Sequence, residues 1–204
     1  MKRIALIVAL FTACSRPASD STMKSVADNK APVGWQTFED DWFRVSYPEG
    51  SDVGGGPEGK QNPEFPTLAV VPPTTKAGKT FSGAFTLQFE KRTNGMLLRD
   101  AIQSEVQSGL KARGVLLSGI REIQVKNGKC MSAAINRPTE GCPKDSGTCY
   151  APAILTLCDD TAGRRFNATS ILSISANPSA LSSLAQQEAE TYERILRSLE
   201  FKKS

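Results

Sequence analysis

One dipeptide limits the shapes open to this chain more than any other feature. Asn127-Gly128 is the strongest short hairpin signal available to a sequence, and Ile123 and Val125 lead into it. A returning strand is expected from about Cys130 to Ile135, so the chain must double back here as an antiparallel pair. A second hairpin is expected near the start. Trp35-Gln36-Thr37-Phe38 runs into a turn at Glu39-Asp40-Asp41, and Phe43, Val45 and Tyr47 then alternate with Arg44 and Ser46 until Pro48 ends the strand.

Further strands are expected at Leu68–Val71, stopped by Pro72-Pro73, and where Phe81, Gly83, Phe85, Leu87 and Phe89 alternate with polar residues. Ala151–Leu157 and Phe166–Ile174 complete the set, separated by a turn at Asp159–Gly163. Two stretches have helical spacing instead. Leu98, Ile102, Val106 and Leu110 make a stripe ending at Gly114, and Leu181, Leu184, Ala185, Tyr192, Ile195 and Leu199 mark one face of a long C-terminal helix. Glu188 interrupts that second stripe, so the first half of the helix is expected to pack less deeply. Strands grouped apart from helices argue an α+β fold, an antiparallel β-sheet with two main helices packed on it, in a single domain over 34–204.

The chemistry open to this domain is narrowed by what the chain lacks. Among 204 residues there is no histidine. That removes the commonest general base near neutral pH and the commonest metal ligand. The composition, 39% apolar and 23% charged, is that of a globular protein.

The N-terminus reads as an export signal. Met1-Lys2-Arg3 is basic, Ile4–Phe11 is an apolar run, and Ala13-Cys14 precedes a polar stretch. The run is less than half of the ~20 residues that span a bilayer. Phe11-Thr12-Ala13-Cys14 resembles a lipobox, with Phe11 where that motif prefers Leu. The resemblance implies removal of residues 1–13, lipidation of Cys14 and a membrane anchor of two or more acyl chains. Residues 14–33 then form a flexible tether rich in Ser, Ala, Asp, Asn, Lys and Pro. Ser15 after the lipid cysteine resembles the enteric signal for the outer membrane, so a periplasm-facing lipoprotein is expected, at the outer membrane before the inner. Losing Lys2 and Arg3 from 25 basic residues, against 21 acidic ones, leaves a net charge of +2. That balance gives no reason to expect nucleic acid as a partner.

Export also decides how the cysteines are read. Cys130, Cys142, Cys149 and Cys158 contain no C-x-x-C pair, which argues against a zinc site or a thioredoxin-like centre. In an oxidising compartment they are expected as disulfides. If Cys130–Ile135 and Ala151–Cys158 pair antiparallel, the bridges nest. Cys130–Cys158 then joins the strands, and Cys142–Cys149 pinches the loop between them.

Three segments together resemble a known family. Phe38 with Phe43-Arg44-Val45-Ser46-Tyr47-Pro48 is similar to the opening strand pair of the PsbP-like fold. Ile123–Lys129 is similar to its middle hairpin, and Ile195–Phe201 to its last element. That fold is shared by the photosystem II extrinsic protein, a Ran-binding family and DcrB-type bacterial lipoproteins. The resemblance implies a binding, assembly or chaperone-like role and brings no catalytic residues with it.

The remaining motifs resolve into simpler explanations. Gly54–Lys60 has the Gly and Lys spacing of a phosphate loop, but Gln61 replaces the hydroxyl that would hold magnesium, and Pro63 blocks the helix. No nucleotide is expected there. Glu39-Asp40-Asp41 and Asp159-Asp160 sit where turns are needed and lack the alternating oxygen ligands of a calcium loop. Trp35, Trp42 and Phe43 are expected mainly as packing, and they are also the first place to look for a partner's groove. The expectation is an exported, membrane-anchored, non-catalytic binding or assembly factor of the cell envelope with an envelope protein as partner. It uses no cofactor and no metal. The alternatives are a histidine-free envelope enzyme and a small-ligand or lipid carrier with a pocket between sheet and helices.

Overall fold

The computed structural model describes residues 31–54, 67–73, 84–90, 95–139, 149–174 and 177–203. The leader, Cys14, most of the tether, Phe81, Gly83, Cys142 and nearly all of the Gly54–Lys60 loop lie outside them. Within them the fold is α+β, and every strand pairing is antiparallel apart from one isolated bridge between Lys126 and Glu200.

The alternating residues near the start form β1 (Trp35–Glu39) and β2 (Phe43–Pro48), a hairpin in which Phe38 faces Val45. The turn between them is closed by Asp40, whose Oδ1 accepts the N–H groups of Trp42 at 2.7 Å and Phe43 at 2.8 Å. The rest of the chain supplies β3 (Asp52–Gly54), β4 (Thr67–Val71), β5 (Phe85–Glu90), α1 (Leu98–Lys111), β6 (Val115–Val125) and β7 (Gly128–Thr139). After these come β8 (Cys149–Asp160), β9 (Arg165–Ile171), α2 (Ser183–Arg197) and β10 (Glu200–Phe201). Seven strands make one sheet in the order β3-β4-β5-β9-β8-β7-β6, and β1-β2-β10 make a smaller one.

Strand alternation gives the large sheet two unlike faces. One carries Leu68, Val70, Phe85, Leu87, Ile123, Cys130, Cys158, Phe166 and Ala168, and α2 and the small sheet pack on it. Its centre is aromatic: Phe166 meets Phe43 edge to face at 6.2 Å and Phe201 at 4.7 Å. The other face carries Ala133, Ile135, Ala153, Leu155 and Leu157 beneath α1, which meets them with Leu98, Ile102 and Val106. Gly109 lies on that buried stripe of α1, and a Cβ there would run into Ile135 and Arg137.

Two expected turns form, with their glycines used differently from expectation. The β6–β7 loop is Lys126-Asn127, with Asn127 in the left-handed region at φ 58, while Gly128 is already the first residue of β7. A Cβ on Gly128 would lie 2.7 Å from both the Asp159 carbonyl and the Phe201 ring. At the end of α1, Arg113 takes the left-handed conformation at φ 63, and a Cβ on Gly114 would lie 2.6 Å from the Gly109 carbonyl. In both places the glycine admits a neighbour, and the residue before it makes the turn.

Glu188 requires a correction. It does not break the packed face of α2: it is 2% exposed and lies on that face with Ala185, Tyr192 and Ile195. Leu184, expected inside, is 40% exposed. Ser182 caps the helix by accepting the Ala185 N–H at 3.1 Å.

Candidate functional site

The long β7–β8 hairpin runs in one unbroken register from the Gly128–Asp160 pair to the Thr139–Cys149 pair. Cys130 therefore faces Cys158, with Cα atoms 4.0 Å apart, and the two form a fully buried disulfide on the α2 side of the sheet. Cys149 is also disulfide-bonded. Its expected partner, Cys142, is outside the described residues.

Above that bridge, between α2 and the sheet, lies a seam of buried polar side chains. Glu188 spends both carboxylate oxygens on Ser173, accepting its backbone N–H at 2.6 Å and its hydroxyl at 2.7 Å. No ion pair balances Glu188 among the described residues. One helical turn on, the Tyr192 ring stacks on Phe85 at 6.5 Å, and its buried hydroxyl has no hydrogen-bond partner among the described residues. Burial drives the Tyr192 pKa well above the ordinary phenol value, and the charge of Glu188 pushes it the same way. Deeper in the sheet, Thr156 donates its hydroxyl to Ser132 at 2.9 Å, and Ser170 is buried beside them. At the solvent edge Arg121 meets Glu193 at 2.6 Å, and Arg197 holds the other Glu193 oxygen at 2.7 Å. Burial acts to raise the Glu193 pKa, but hydrogen bonds from Arg121 and Arg197 outweigh it and hold the carboxyl below its usual value.

Ser173 and Glu188 come nearest to a nucleophile and a base. The same carboxylate also takes the Ser173 backbone N–H, so it acts as a clamp on the chain just beyond β9. The space left in the seam is a chamber of about 10 Å³, lined by Tyr192, Ser132, Thr156, Ser170, Arg121 and Glu193 among others. A drug-sized ligand needs a pocket of at least several hundred Å³, so this gap between sheet and helix cannot take one.

The opposite face of the sheet has a different character. Helix α1 lies over β6, β7 and β8. Beyond it, β4, β5 and β9 carry rows of mostly uncharged polar side chains: Thr67 beside Gln88 beside Asn167, and Thr86 beside Thr169 with the small Ala69 at their end. Gln88 is exposed and the others are half-buried. Ile171, at the end of the same face, is 55% exposed. The rows are tied laterally, since Thr86 donates to the Thr169 carbonyl at 3.1 Å and Asn167 to Glu90 at 3.1 Å.

Of the residues singled out by sequence, Phe43 is fully buried, so it is core and no platform for a partner. Trp35 and Trp42 are half-buried and pack against the same core. Trp42 is sandwiched between Phe89, at 5.1 Å, and the Arg164 guanidinium, 4.8 Å from its ring. The Asp159-Asp160 pair organises its turn: Asp160 accepts the N–H groups of Ala162 and Arg164 and pairs with the Arg164 side chain, while Asp159 holds Arg165 at 2.8 Å. Among the described residues no three Cys, Asp or Glu side chains gather as metal ligands, and no helix is long and apolar enough to cross a membrane. Sequence reasoning places Tyr192 on the packed face as found but takes Glu188 for a break in it, and misses the Thr/Asn/Gln rows. The rows were visible in part as the polar positions of the alternating β5 segment. No family model, curated protein or solved structure matches the chain.

Proposed function

We propose that this chain is an exported envelope lipoprotein, anchored through Cys14, that works by holding a partner protein rather than by catalysis. The observation that carries the reading is the part of the large sheet that no described element covers on the α1 side. Among the described residues α1 lies over β6, β7 and β8, while on β4, β5 and β9 Gln88 is exposed and Thr67, Thr86, Asn167 and Thr169 are half-buried. A second polar surface laid on these rows can exchange hydrogen bonds with them. Three further points support the reading: the chain lacks histidine, Glu188 is fully engaged by Ser173, and the gap under α2 is too small for a carried ligand. The resemblance to PsbP-like proteins, which act in binding and assembly, points the same way.

The test is a photo-crosslinking residue placed at Gln88 on the open face, compared with one at Glu190 on the exposed side of α2. In intact cells Gln88 should give a discrete adduct that Glu190 does not. Lysine at both Thr86 and Thr169 should abolish that adduct; since the two positions are half-buried and directly opposite, the pair also lowers the melting temperature, and a native far-UV circular dichroism spectrum at the assay temperature is the control. Equal adducts from both positions, or an adduct indifferent to the lysines, would remove this face from the account.

A further inference from the structure

The chamber under α2 is too small for a metabolite, and hydroxyl side chains stand in it among the apolar liners Phe85, Ile123, Ile154, Ala168 and Leu196. Three hydroxyl side chains of the sheet, Ser132, Thr156 and Ser170, stand in it at positions where the same face otherwise carries Ile123, Ala168 and Cys130. Tyr192 lines it from the helix, with a hydroxyl buried from solvent and without a hydrogen-bond partner among the described residues. A buried hydroxyl left without a partner is destabilising by about 1–3 kcal/mol, and native structures rarely tolerate it. The volume of about 10 Å³ matches one water molecule, and four hydroxyl-bearing residues are among its liners.

We infer that this chamber is a binding site for one internal water, joining the Tyr192 hydroxyl on α2 to the Ser132–Thr156 hydroxyl pair in the sheet. Tyr192 donates to the water. Ser132 already accepts the Thr156 proton at 2.9 Å, so its own proton remains free to point at the water oxygen. The water's two protons are left for acceptors in the wall, among whose liners is the Ser170 hydroxyl. Arg121 and Glu193, the charged liners that reach solvent, form the rim and slow exchange with bulk water. The site makes α2 part of a polar network as well as an apolar lid, which explains why a tyrosine stands where phenylalanine would pack equally well.

The two possibilities for that hydroxyl differ in sign. If it is dry, Tyr192→Phe removes an unsatisfied group and leaves the protein as stable or more so. If it holds a water, the same change loses a bridged hydrogen bond and lowers the melting temperature by a few degrees. The full chain, carrying Cys14→Ser to keep it in solution, is measured by water–amide NMR cross-relaxation with and without Tyr192→Phe. The expected result is a long-lived water signal at the Ser132 and Thr156 amides that is lost in Tyr192→Phe, together with the lower melting point. Ser132→Ala, which keeps the tyrosine, should weaken the same signal. No long-lived signal in the parent chain, or a signal unchanged by both substitutions, overturns the site.

Discussion

The two faces of the seven-stranded sheet solve the same packing problem with different chemistry. Under α1 the contact is aliphatic: Ile102 and Val106 meet Ile135 and Leu155, and Gly109 lets helix and strand close up. Under α2 and the small sheet the contact is aromatic, cross-linked and partly polar. Phe166 is ringed by Phe43, Phe89 and Phe201, Cys130 is bridged to Cys158, and Glu188 and Tyr192 are buried with them. An aliphatic seam tolerates small slips because dispersion contacts are non-directional. A seam with a buried carboxylate and paired hydroxyls has one good arrangement, because every misplaced polar atom is left unsatisfied. The α1 side gives cohesion, and the α2 side adds a fixed register between helix and sheet.

This contrast can be broken most forcefully at the disulfide. Cys130 and Cys158 are separated by 28 residues, and in the chain-entropy account a bridge of that span stabilises by about 3–4 kcal/mol. Replacing both with Ala should lower stability by about that amount in urea unfolding. If the loss is negligible, the α2 side is not the stapled one. Next come paired truncations, one on each face. Ile102→Ala should cost about 3 kcal/mol through the cavity it opens. Glu188→Ala should cost about 2 kcal/mol, because Ser173 loses partners for both its N–H and its hydroxyl while relief of a buried charge returns part of the loss. A double-mutant cycle with Ser173→Ala should show clear coupling to Glu188 and none to Ile102.

What could be read in advance divides along the same line. The α1 stripe was legible because four aliphatic residues at helical spacing carry their own meaning, and three of them are buried as the spacing implies. Glu188 was misread because its meaning lies in Ser173, a residue on another element that no local window contains. The first half of β6 escaped notice for a different reason. It is a sheet-edge strand, exposed over much of its length, and register shifts near Ser118 break its alternation. Strands β7 and β8 run further than their apolar cores because Asn136–Thr139 stays in register with Cys149–Pro152, where polar residues and prolines hide the strand pattern. The open rows on β4, β5 and β9 could be recognised as a surface only once α1 was placed.

The smallest expected effect lies at the rim of the α2 seam. The folded-state pKa of Glu193 is depressed below the ordinary 4.5, so its contribution to stability is present above that value and is lost as pH falls through the lower one. Acid titration should therefore show wild-type stability declining below about pH 4.5, with a shallower decline in Glu193→Gln. Identical profiles would mean that Arg121 and Arg197 do no more than decorate the surface.

The central claim, an envelope protein held at the membrane by its own N-terminal cysteine, is tested most directly by mass spectrometry of the N-terminal peptide from membrane-purified protein. The account predicts a chain that begins at Cys14, with acyl chains on the cysteine and residues 1–13 gone. A peptide that still carries residues from before Cys14, or a chain cut elsewhere with an unmodified Cys14, would contradict it.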